Sequence, residues 1–172
     1  MNKTEYWIKK VISKDLIYKK KISNSHKLTN FKKICIKMND NKTIQNIKNI
    51  FLSISILEIL TNQKSKICFS KKSIANFKTQ KKAPVGCLVT LRKKNKESFL
   101  QFLMFFILPK LDSKMIKKDS LFLNIGVKDI FFIPQLSITN NNFSNYFGFG
   151  LSLLFDNKNF FLLLSSLQFK QK

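Results

Sequence analysis

The stretch Lys71–Arg92, KKSIANFKTQKKAPVGCLVTLR, has the pattern of a long β-hairpin with a basic tip. Three pairs of lysines accompany it, at 71–72, 81–82 and, just beyond its end, 93–94. Pro84 and Gly86 signal a turn, and a β-branched segment of alternating apolar residues then runs to Arg92. Because the charges stand apart from the apolar run, the pattern predicts a hairpin whose root packs in a core while its tip stays exposed.

The composition of the chain limits both its class and its partners. With 172 residues, 44% of them hydrophobic, the chain can form one core, so residues 1–172 are predicted to be a single domain. Its 32 Lys+Arg stand against 9 Asp+Glu, a formal net charge of +23. Self-repulsion of this size destabilises a compact chain unless an anionic partner neutralises it. RNA or DNA is the first candidate partner, and an anionic membrane surface is the second.

Residues that could support catalysis or bind a metal are few and scattered. Cys35, Cys68 and Cys87 form no CxxC pair and His26 is the single histidine, so a tetrahedral zinc site lacks its ligands. The three cysteines lie in apolar runs and are predicted to be structural. The nine acidic residues are dispersed, and the sequence has no phosphate-binding glycine loop. We therefore expect a protein that is not an enzyme and has no cofactor or metal.

Two apolar runs, 99–108 and 147–169, bear on a membrane interpretation. The first is closed by Pro109 and the second is interrupted at 156–158, so neither reaches the ~20 apolar residues that a membrane span needs. The sequence therefore predicts no transmembrane helix. A basic amphipathic protein bound to an anionic membrane surface, with the Phe-rich segment at 99–108 as its anchor, is the alternative to a nucleic-acid-binding protein.

Periodicity along the chain predicts a mixture of helices and strands. The predicted helices span 5–20, 44–60, 94–108 and 158–167, and the cluster at 39–41 is predicted to cap the second of them. The predicted strands or extended apolar segments span 31–38, 66–70, 84–93, 121–126, 130–133 and 149–155. This order has no βαβ repeat. It favours an α+β fold, a mostly antiparallel sheet with helices packed on one face and an extended basic hairpin loop.

The first predicted strand, 31–38, has two different faces. Ile34, Ile36 and Met38 fall on one side, because side chains alternate along a strand. Lysine and cysteine residues, among them Lys37, fall on the other side. We therefore expect this strand to be half-exposed, with a basic outer face.

Four short motifs carry a specific resemblance to a known family. They are Lys72-Ser73-Ile74-Ala75, Phe77-Lys78, Pro84-Val85-Gly86-Cys87 and Val89-Thr90-Leu91-Arg92. In residue type and spacing they resemble the large-subunit ribosomal protein five family, the universal 5S rRNA-binding ribosomal protein, whose pattern here is roughly KSIAGFK, a short basic loop and PIGCKVTLRG. Similarity continues in the same order at 108–109 and over 125–129 and 132–134, so the resemblance covers essentially the whole chain.

The resemblance implies a place in the cell's machinery and a set of partners. Members of this family sit in the central protuberance of the large ribosomal subunit beside other large-subunit proteins. They bind 5S rRNA and large-subunit rRNA, contact the P-site tRNA through an extended loop, and bridge to a small-subunit protein. The tRNA-facing loop maps onto Thr79, Gln80, Lys81, Lys82 and Ala83. Contacts with rRNA are expected at Lys37, Lys71, Lys72, Ser73, Asn76, Lys78 and Arg92.

The apolar residues of the same stretch are expected to have a different role. Ile74, Phe77, Val85, Val89 and Leu91 alternate with or adjoin the basic residues, and we expect all five to belong to the core. In that interpretation the basic and polar residues of the stretch contact RNA, and these five apolar residues do not.

Departures from the family pattern concentrate in the loop. Asn76 stands where the family has a glycine, and because asparagine tolerates the left-handed conformation better than most residues, we expect the loop to keep its shape. Gln80 replaces a frequent arginine, while Lys81 and Lys82 replace an acid and a glycine. Outside the loop, Lys37 replaces an asparagine. The positive charge is therefore rearranged and increased.

The residue usage indicates an organelle. Lys, Asn, Ile and Phe dominate and Arg92 is the single arginine, which is what A/T-rich codons produce. The beginning of the chain contains Glu5 and Asp15, and it resembles neither a secretory signal nor an Arg-rich, acid-free presequence. We expect a protein that is made and used inside an organelle, a mitochondrion rather than a plastid.

Overall fold

The computed structural model describes residues 6–39, 47–119, 121–128, 130, 133 and 148–156. Six strands form a mostly antiparallel sheet in the order β2-β3-β1-β6-β5-β4. Their bounds are β1 Phe31–Asn39, β2 Lys66–Phe69, β3 Pro84–Leu91, β4 Ile116–Lys118, β5 Phe122–Val127 and β6 Phe149–Phe155. The α-helices in the described ranges are α1 Ser13–Lys20, α2 Ile47–Thr61 and α3 Lys93–Phe102. The predicted α+β class is confirmed.

Two of the predicted helices are composite. The π-helical turn Trp7–Ile12 leads directly into α1. In place of the single helix predicted over 94–108, α3 is followed by the π-helical turn Leu103–Ile107 and then by the 3-10 turn Leu108–Lys110, which contains Pro109. Because proline lacks a backbone N–H, it is tolerated in the first turn of a helix but not further along, and the chain becomes extended at Leu111.

Several sequence predictions concern segments outside the described residues. They are the cap at 40–41, the start of the second helix at 44–46, most of the extended segment 130–133 and the helix 158–167. Within the described part, β4 was not predicted, because its sequence Ile-Lys-Lys is too short and too basic to show alternation.

Strand β1 confirms the predicted alternation. Ile34, Ile36 and Met38 are buried, Lys37 is exposed, and Cys35 is half-buried. Buried and exposed residues alternate in the same way along β5 and β6, where the outer positions are half-buried or exposed. The period of two in the sequence therefore corresponds to one buried and one more open side of these strands.

Compact packing divides the chain into two units, of which the first comprises Met1–Ile34, Leu91–Asn124 and Ser152–Lys172. In its described part, rings of Phe31 and Phe155 lie 4.7 Å apart between centroids. The side chain of Lys96 donates a hydrogen bond of 2.6 Å from Nζ to the carbonyl oxygen of Phe31. The buried apolar residues of this unit are Ile12, Leu16, Phe31, Ile34, Leu91, Phe99, Leu100, Leu103, Ile107, Leu108, Leu111, Leu123, Leu153 and Phe155.

The Phe-rich segment of this first unit is only partly buried. Phe99, Leu103 and Ile107, spaced by four residues, are buried, whereas Phe105 and Phe106 are exposed. A helical segment that enters a core along one stripe leaves its other side exposed, whatever its composition. Its apolar composition predicts a largely buried helix, and the structure buries one face of it. As a membrane anchor it would present two aromatic side chains instead of the full apolar run.

The second unit comprises Cys35–Thr90 and Ile125–Leu151. Its described core draws on α2 and on four strands, with Ile36, Met38, Ile50, Ile56, Leu57, Leu60, Cys87, Val89, Ile125, Val127, Ile130, Ile133, Phe149 and Leu151 buried. Helix α2 ends at Thr61, and the next residue, Asn62, adopts a left-handed conformation with φ 49°. The Glu58 carboxylate then accepts a hydrogen bond of 3.0 Å from the backbone N–H of Ser65 and so fixes the approach to β2.

Candidate nucleic-acid interface

The root of the candidate interface is the antiparallel pair of β2 and β3 in the second unit. Lys66 lies opposite Leu88, and Cys68 lies opposite Gly86. The register shifts between Cys68 and Phe69, so that Phe69 faces Pro84. Such an irregularity bends a strand and ends regular pairing. The predicted hairpin with a long connecting loop is confirmed, and the basic loop is defined as residues 70–83.

A second set of hydrogen bonds joins the two legs of the basic loop just beyond β2 and β3. Ser70 donates from its backbone N–H to the carbonyl oxygen of Ala83 at 2.9 Å, and Lys82 donates to that of Ser70 at 3.1 Å. The Ser70 hydroxyl donates to the carbonyl oxygen of Gln80 and accepts from the N–H of Ala83 at 3.1 Å. One serine thus holds the returning leg from Gln80 to Ala83 against the outgoing leg.

A third set of hydrogen bonds closes the far end of the loop. Ile74 and Thr79 pair as an isolated antiparallel bridge, with N–H to carbonyl distances of 3.1 and 3.2 Å. Between them, Ala75–Phe77 form a 3-10 turn, and the N–H of Lys78 donates to the carbonyl oxygen of Ala75 at 2.9 Å. The Ser73 hydroxyl adds a hydrogen bond of 3.1 Å to the carbonyl oxygen of Thr79. The turn at the end of the hairpin is therefore Ala75–Lys78.

The backbone of this turn differs from the sequence expectation for Asn76. In the basic loop, the positive φ angles belong to Lys78, at 51°, and Lys82, at 66°. Asn76 lies inside the 3-10 turn, where a side chain of any common type is tolerated. Its replacement of glycine is accommodated for this reason and not because asparagine adopts a left-handed conformation.

The structure brings most of the predicted site residues into this single loop. Lys71, Lys72, Ser73, Asn76 and Lys78 are exposed along the outgoing leg and the turn. Of the residues predicted to face tRNA, Gln80, Lys81 and Lys82 are exposed and Thr79 and Ala83 are half-buried, all on the returning leg. Lys37 and Arg92 lie outside the loop, exposed on β1 and after β3.

Charge in and around the loop has one sign. Residues 66–92 contain six lysines and Arg92 but no aspartate or glutamate. The five lysines of the loop itself, at 71, 72, 78, 81 and 82, are all exposed. Lysines spaced along a narrow hairpin repel one another and attract a phosphate backbone, which releases its counterions when they bind. The arrangement suits contacts with several phosphates and carries no machinery for reading base sequence.

Two of the five apolar residues that were expected in the core are exposed. Val89 and Leu91 are buried and Val85 is half-buried, but Ile74 is 46% exposed and Phe77 is 69% exposed. The expectation was wrong for these two because they lie beyond the last pair of the β2–β3 ladder, where no element among the described residues covers them. The hydrophobicity of Ile74 and Phe77 does not distinguish them from the buried Val89 and Leu91. The lysine pairs on either side were the available signal that the segment leaves the core.

The cysteines show different environments. Cys87 is fully buried, and burial raises the pKa of its thiol to about 12, with smaller contributions from Cys68 and Glu58. The Sγ of Cys35 lies 3.9 Å from the hydroxyl oxygen of Thr90.

Within the described ranges, no group of three or more His, Cys, Asp or Glu side chains is placed to hold a metal ion. Nor does any helix there combine the length and apolar content needed to cross a bilayer.

Comparison with known proteins assigns the chain to a family. No protein-family model matches it. The large ribosomal subunit protein uL5m of Reclinomonas americana, a mitochondrial protein, is 33% identical over 153 residues, which are 86% of this chain and 84% of that relative. The chain belongs to the uL5 family. The resemblance seen in the hairpin motifs is thereby confirmed over most of the chain.

Other uL5 proteins are similar to shorter parts of the chain. The chloroplast protein uL5c of Euglena gracilis is 40% identical over 88 residues, 51% of this chain and 49% of its own length. The bacterial uL5 of Geotalea uraniireducens is 33% identical over 131 residues, 73% of this chain and 71% of its own length. Mitochondrial and chloroplast forms among the relatives support an organellar ribosome, and their names indicate a structural rather than an enzymatic role.

Proposed function

We propose that this uL5 chain is a structural constituent of the large subunit of a mitochondrial ribosome, acting as one domain of residues 1–172. In this proposal it binds 5S rRNA and large-subunit rRNA in the central protuberance, beside neighbouring large-subunit proteins. The observation that carries the proposal is the braced basic loop, with five exposed lysines and no acidic residue between 66 and 92. A net charge of +23 requires extensive neutralisation, which a folded rRNA supplies.

The rRNA contacts are assigned to exposed polar groups that can reach phosphate and ribose. Lys71, Lys72, Ser73, Asn76 and Lys78 lie along the outgoing leg and the turn, where ammonium, hydroxyl and amide groups are available. The two remaining contacts, by Lys37 and Arg92, come from exposed positions outside the loop. Folded RNA is recognised largely through its backbone, its 2′-hydroxyl groups and its shape, which these side chains suit.

The contact with P-site tRNA is assigned to the returning leg, Thr79 to Ala83. Gln80, Lys81 and Lys82 are exposed there, and the hydroxyl of Ser70 holds the backbone of this leg in place. Lysine binds phosphate as a point charge without bidentate geometry, which suits a tRNA that must leave after each cycle. The same exposed hairpin is the part of the chain from which we propose a bridge to a small-subunit protein.

The rRNA proposal is tested by removing the loop charges. Replacing Lys71, Lys72, Lys78, Lys81 and Lys82 with glutamine is expected to weaken binding to 5S rRNA and large-subunit rRNA. For every phosphate that the variant no longer neutralises, the slope of log K against log salt should become shallower by about 0.7 to 0.9. The measurement is a salt titration of binding by the full chain.

A matched control separates the loop from net charge. Lys10, Lys14, Lys19, Lys21 and Lys32 are exposed and lie in the first unit, so their replacement with glutamine gives the same total charge. The control variant is expected to keep a steeper salt slope than the loop variant. Equal slopes for the two variants would show that charge alone matters and would contradict the assignment to the loop.

The tRNA contact and the ribosomal location have their own tests. A photo-crosslinking residue at Gln80 is expected to attach to P-site tRNA in assembled ribosomes, whereas one at Lys21 is not; absence of a crosslink from Gln80 contradicts the contact. The protein is expected to sediment with large subunits from mitochondria after detergent treatment. Release by detergent would instead favour the membrane-surface alternative.

A further inference from the structure

The end of the basic loop combines strong positive charge with an exposed aromatic ring. Phe77 is 69% exposed, and it is followed directly by Lys78 in the turn that Ile74 and Thr79 close. Two further apolar side chains of the same hairpin, Phe69 and Ile74, are also exposed. Single exposed apolar residues are common on proteins, but three exposed ones within nine residues, interspersed with lysines, give this hairpin a mixed chemistry.

The backbone that carries Phe77 is already ordered in the free chain. The bridge between Ile74 and Thr79, the 3-10 turn and the hydrogen bond from Lys78 to Ala75 all act on the four residues of the turn. A ring held on a fixed backbone has two side-chain torsions to restrict when a ligand binds. Preorganisation of this kind lowers the entropic cost of the contact.

The chemistry of this surface defines what would cover it. A partner must offer anionic groups at the spacing of the lysines and, between them, a flat apolar face for the ring. An unpaired stretch of RNA has both, since each nucleotide combines a phosphate with an exposed base face. In an RNA duplex the base faces are stacked on one another and closed to a side chain.

We propose that Phe77 is a stacking platform for an unpaired base of the RNA that the lysines of the basic loop bind. The inference rests on the proposed RNA-binding function and deepens it, because it divides the loop into two kinds of contact. Lysines at 71, 72, 78, 81 and 82 attract and position the phosphates. Phe77 adds a contact that is insensitive to salt and is made with bases that are free of pairing.

Binding of the full chain to two probes tests the proposal. The probes are an oligouridine single strand and an RNA duplex with the same number of phosphates. Phe77→Ala is expected to weaken single-strand binding by roughly 5- to 150-fold, the range of one base stacked on an aromatic ring. Duplex binding and the salt slope for both probes are expected to stay unchanged. Since Phe77 is exposed, the variant is expected to keep the melting temperature of the parent chain.

Two substitutions and one matched control distinguish stacking from other contacts. Phe77→Trp is expected to keep or improve single-strand binding and, in a Trp7→Phe background, to show fluorescence quenching by the bound strand. Phe77→Leu is expected to bind as weakly as Phe77→Ala. Phe51→Ala removes a ring of similar exposure, 65%, from α2 in the same unit and is expected to change nothing.

The possible outcomes either support the inference or overturn it. Unchanged single-strand binding by Phe77→Ala, with weakened binding by the five-lysine variant, overturns the stacking contact and leaves the proposed function intact. Parental single-strand binding by Phe77→Leu also overturns it. So does a Phe77→Ala variant that binds RNA normally and is defective only in its contact with a protein partner in assembled subunits. If the five-lysine variant binds both probes like the parent chain, the proposed RNA-binding function of the loop fails as well.

Discussion

Ile74 and Thr79 exchange two backbone hydrogen bonds, of 3.1 and 3.2 Å, at the far end of an otherwise exposed hairpin. This bridge makes Ala75–Lys78 the turn and places Thr79 on the leg that returns to β3. It lies beyond the β2–β3 ladder, and Ile74 and Phe77 beside it are exposed among the described residues, so local hydrogen bonds hold it. It therefore determines where the lysines and Phe77 of the basic loop are presented.

Opening this bridge is expected to loosen the turn and nothing else. Thr79→Pro removes the N–H that donates to Ile74 and disfavours the left-handed backbone of Lys78 before it. Loss of at least about 1 kcal/mol of local stability should speed amide exchange at Ile74 by roughly fivefold or more. Thr79→Val is the control, since it keeps both backbone hydrogen bonds and removes only the weak hydrogen bond of the hydroxyl. Hydrogen exchange read residue by residue gives the answer, and equal rates at Ile74 in both variants would contradict a bridge in solution.

Gly86 is expected to be essential for packing at the root of the hairpin. A Cβ added there would overlap the side-chain oxygen of Asn39 and lie 2.5 Å from the carbonyl oxygen of Met38. Since backbone cannot move freely inside a strand, Gly86→Ala should lower the unfolding free energy by about 1 to 3 kcal/mol. Gly126→Ala, with nothing within 4 Å of the added atom and no positive φ at this position, should leave it unchanged or raise it by up to about 1 kcal/mol. Urea denaturation of both variants tests the contrast.

Lys96 is expected to act in folding rather than in RNA binding. Its Nζ donates to the carbonyl oxygen of Phe31 at 2.6 Å, and its stem is half-buried. Lys96→Met keeps the aliphatic stem but loses the hydrogen bond, which should cost about 1 kcal/mol. Lys94→Met, at an exposed position of α3, should leave stability unchanged. A Lys96→Met variant with parental stability and a shallower RNA salt slope would reverse this assignment.

Cys87 is expected to be unreactive toward alkylation, and its thiol is expected to make the unfolding free energy fall at alkaline pH. Burial raises its pKa from 9.0 to about 12, so the folded state holds the proton more tightly than the unfolded state. The stabilisation is complete below pH 9 and is lost as the pH rises toward 12. In chemical denaturation, Cys87→Ala should show a weaker loss of unfolding free energy over this interval than the parent chain. At neutral pH, alkylation should modify the half-buried Cys35 and Cys68 well before Cys87.

Elements whose signal is local were predictable from the sequence. The alternation of Ile34, Ile36 and Met38 in β1 is imposed by the geometry of a strand, and the lysine pairs that bound the hairpin mark a segment too highly charged to enter a core. The uL5 family could be recognised for a related reason, since its motifs are short and contiguous. The α+β class follows from the order of such segments.

Features that depend on what surrounds a residue were decided by the tertiary structure. Ile74 and Phe77 are as apolar as Val89 and Leu91, but they extend past the last rung of the ladder and remain uncovered. Likewise, Lys96 and Lys78 are the same residue type, yet one hydrogen-bonds to the backbone of β1 and the other shapes an exposed turn. Sequence determined which residues are apolar or charged and where the strands with a clear alternating pattern run. Only the fold decided which of those side chains have neighbours, because burial is a property of the surrounding atoms and not of the side chain itself.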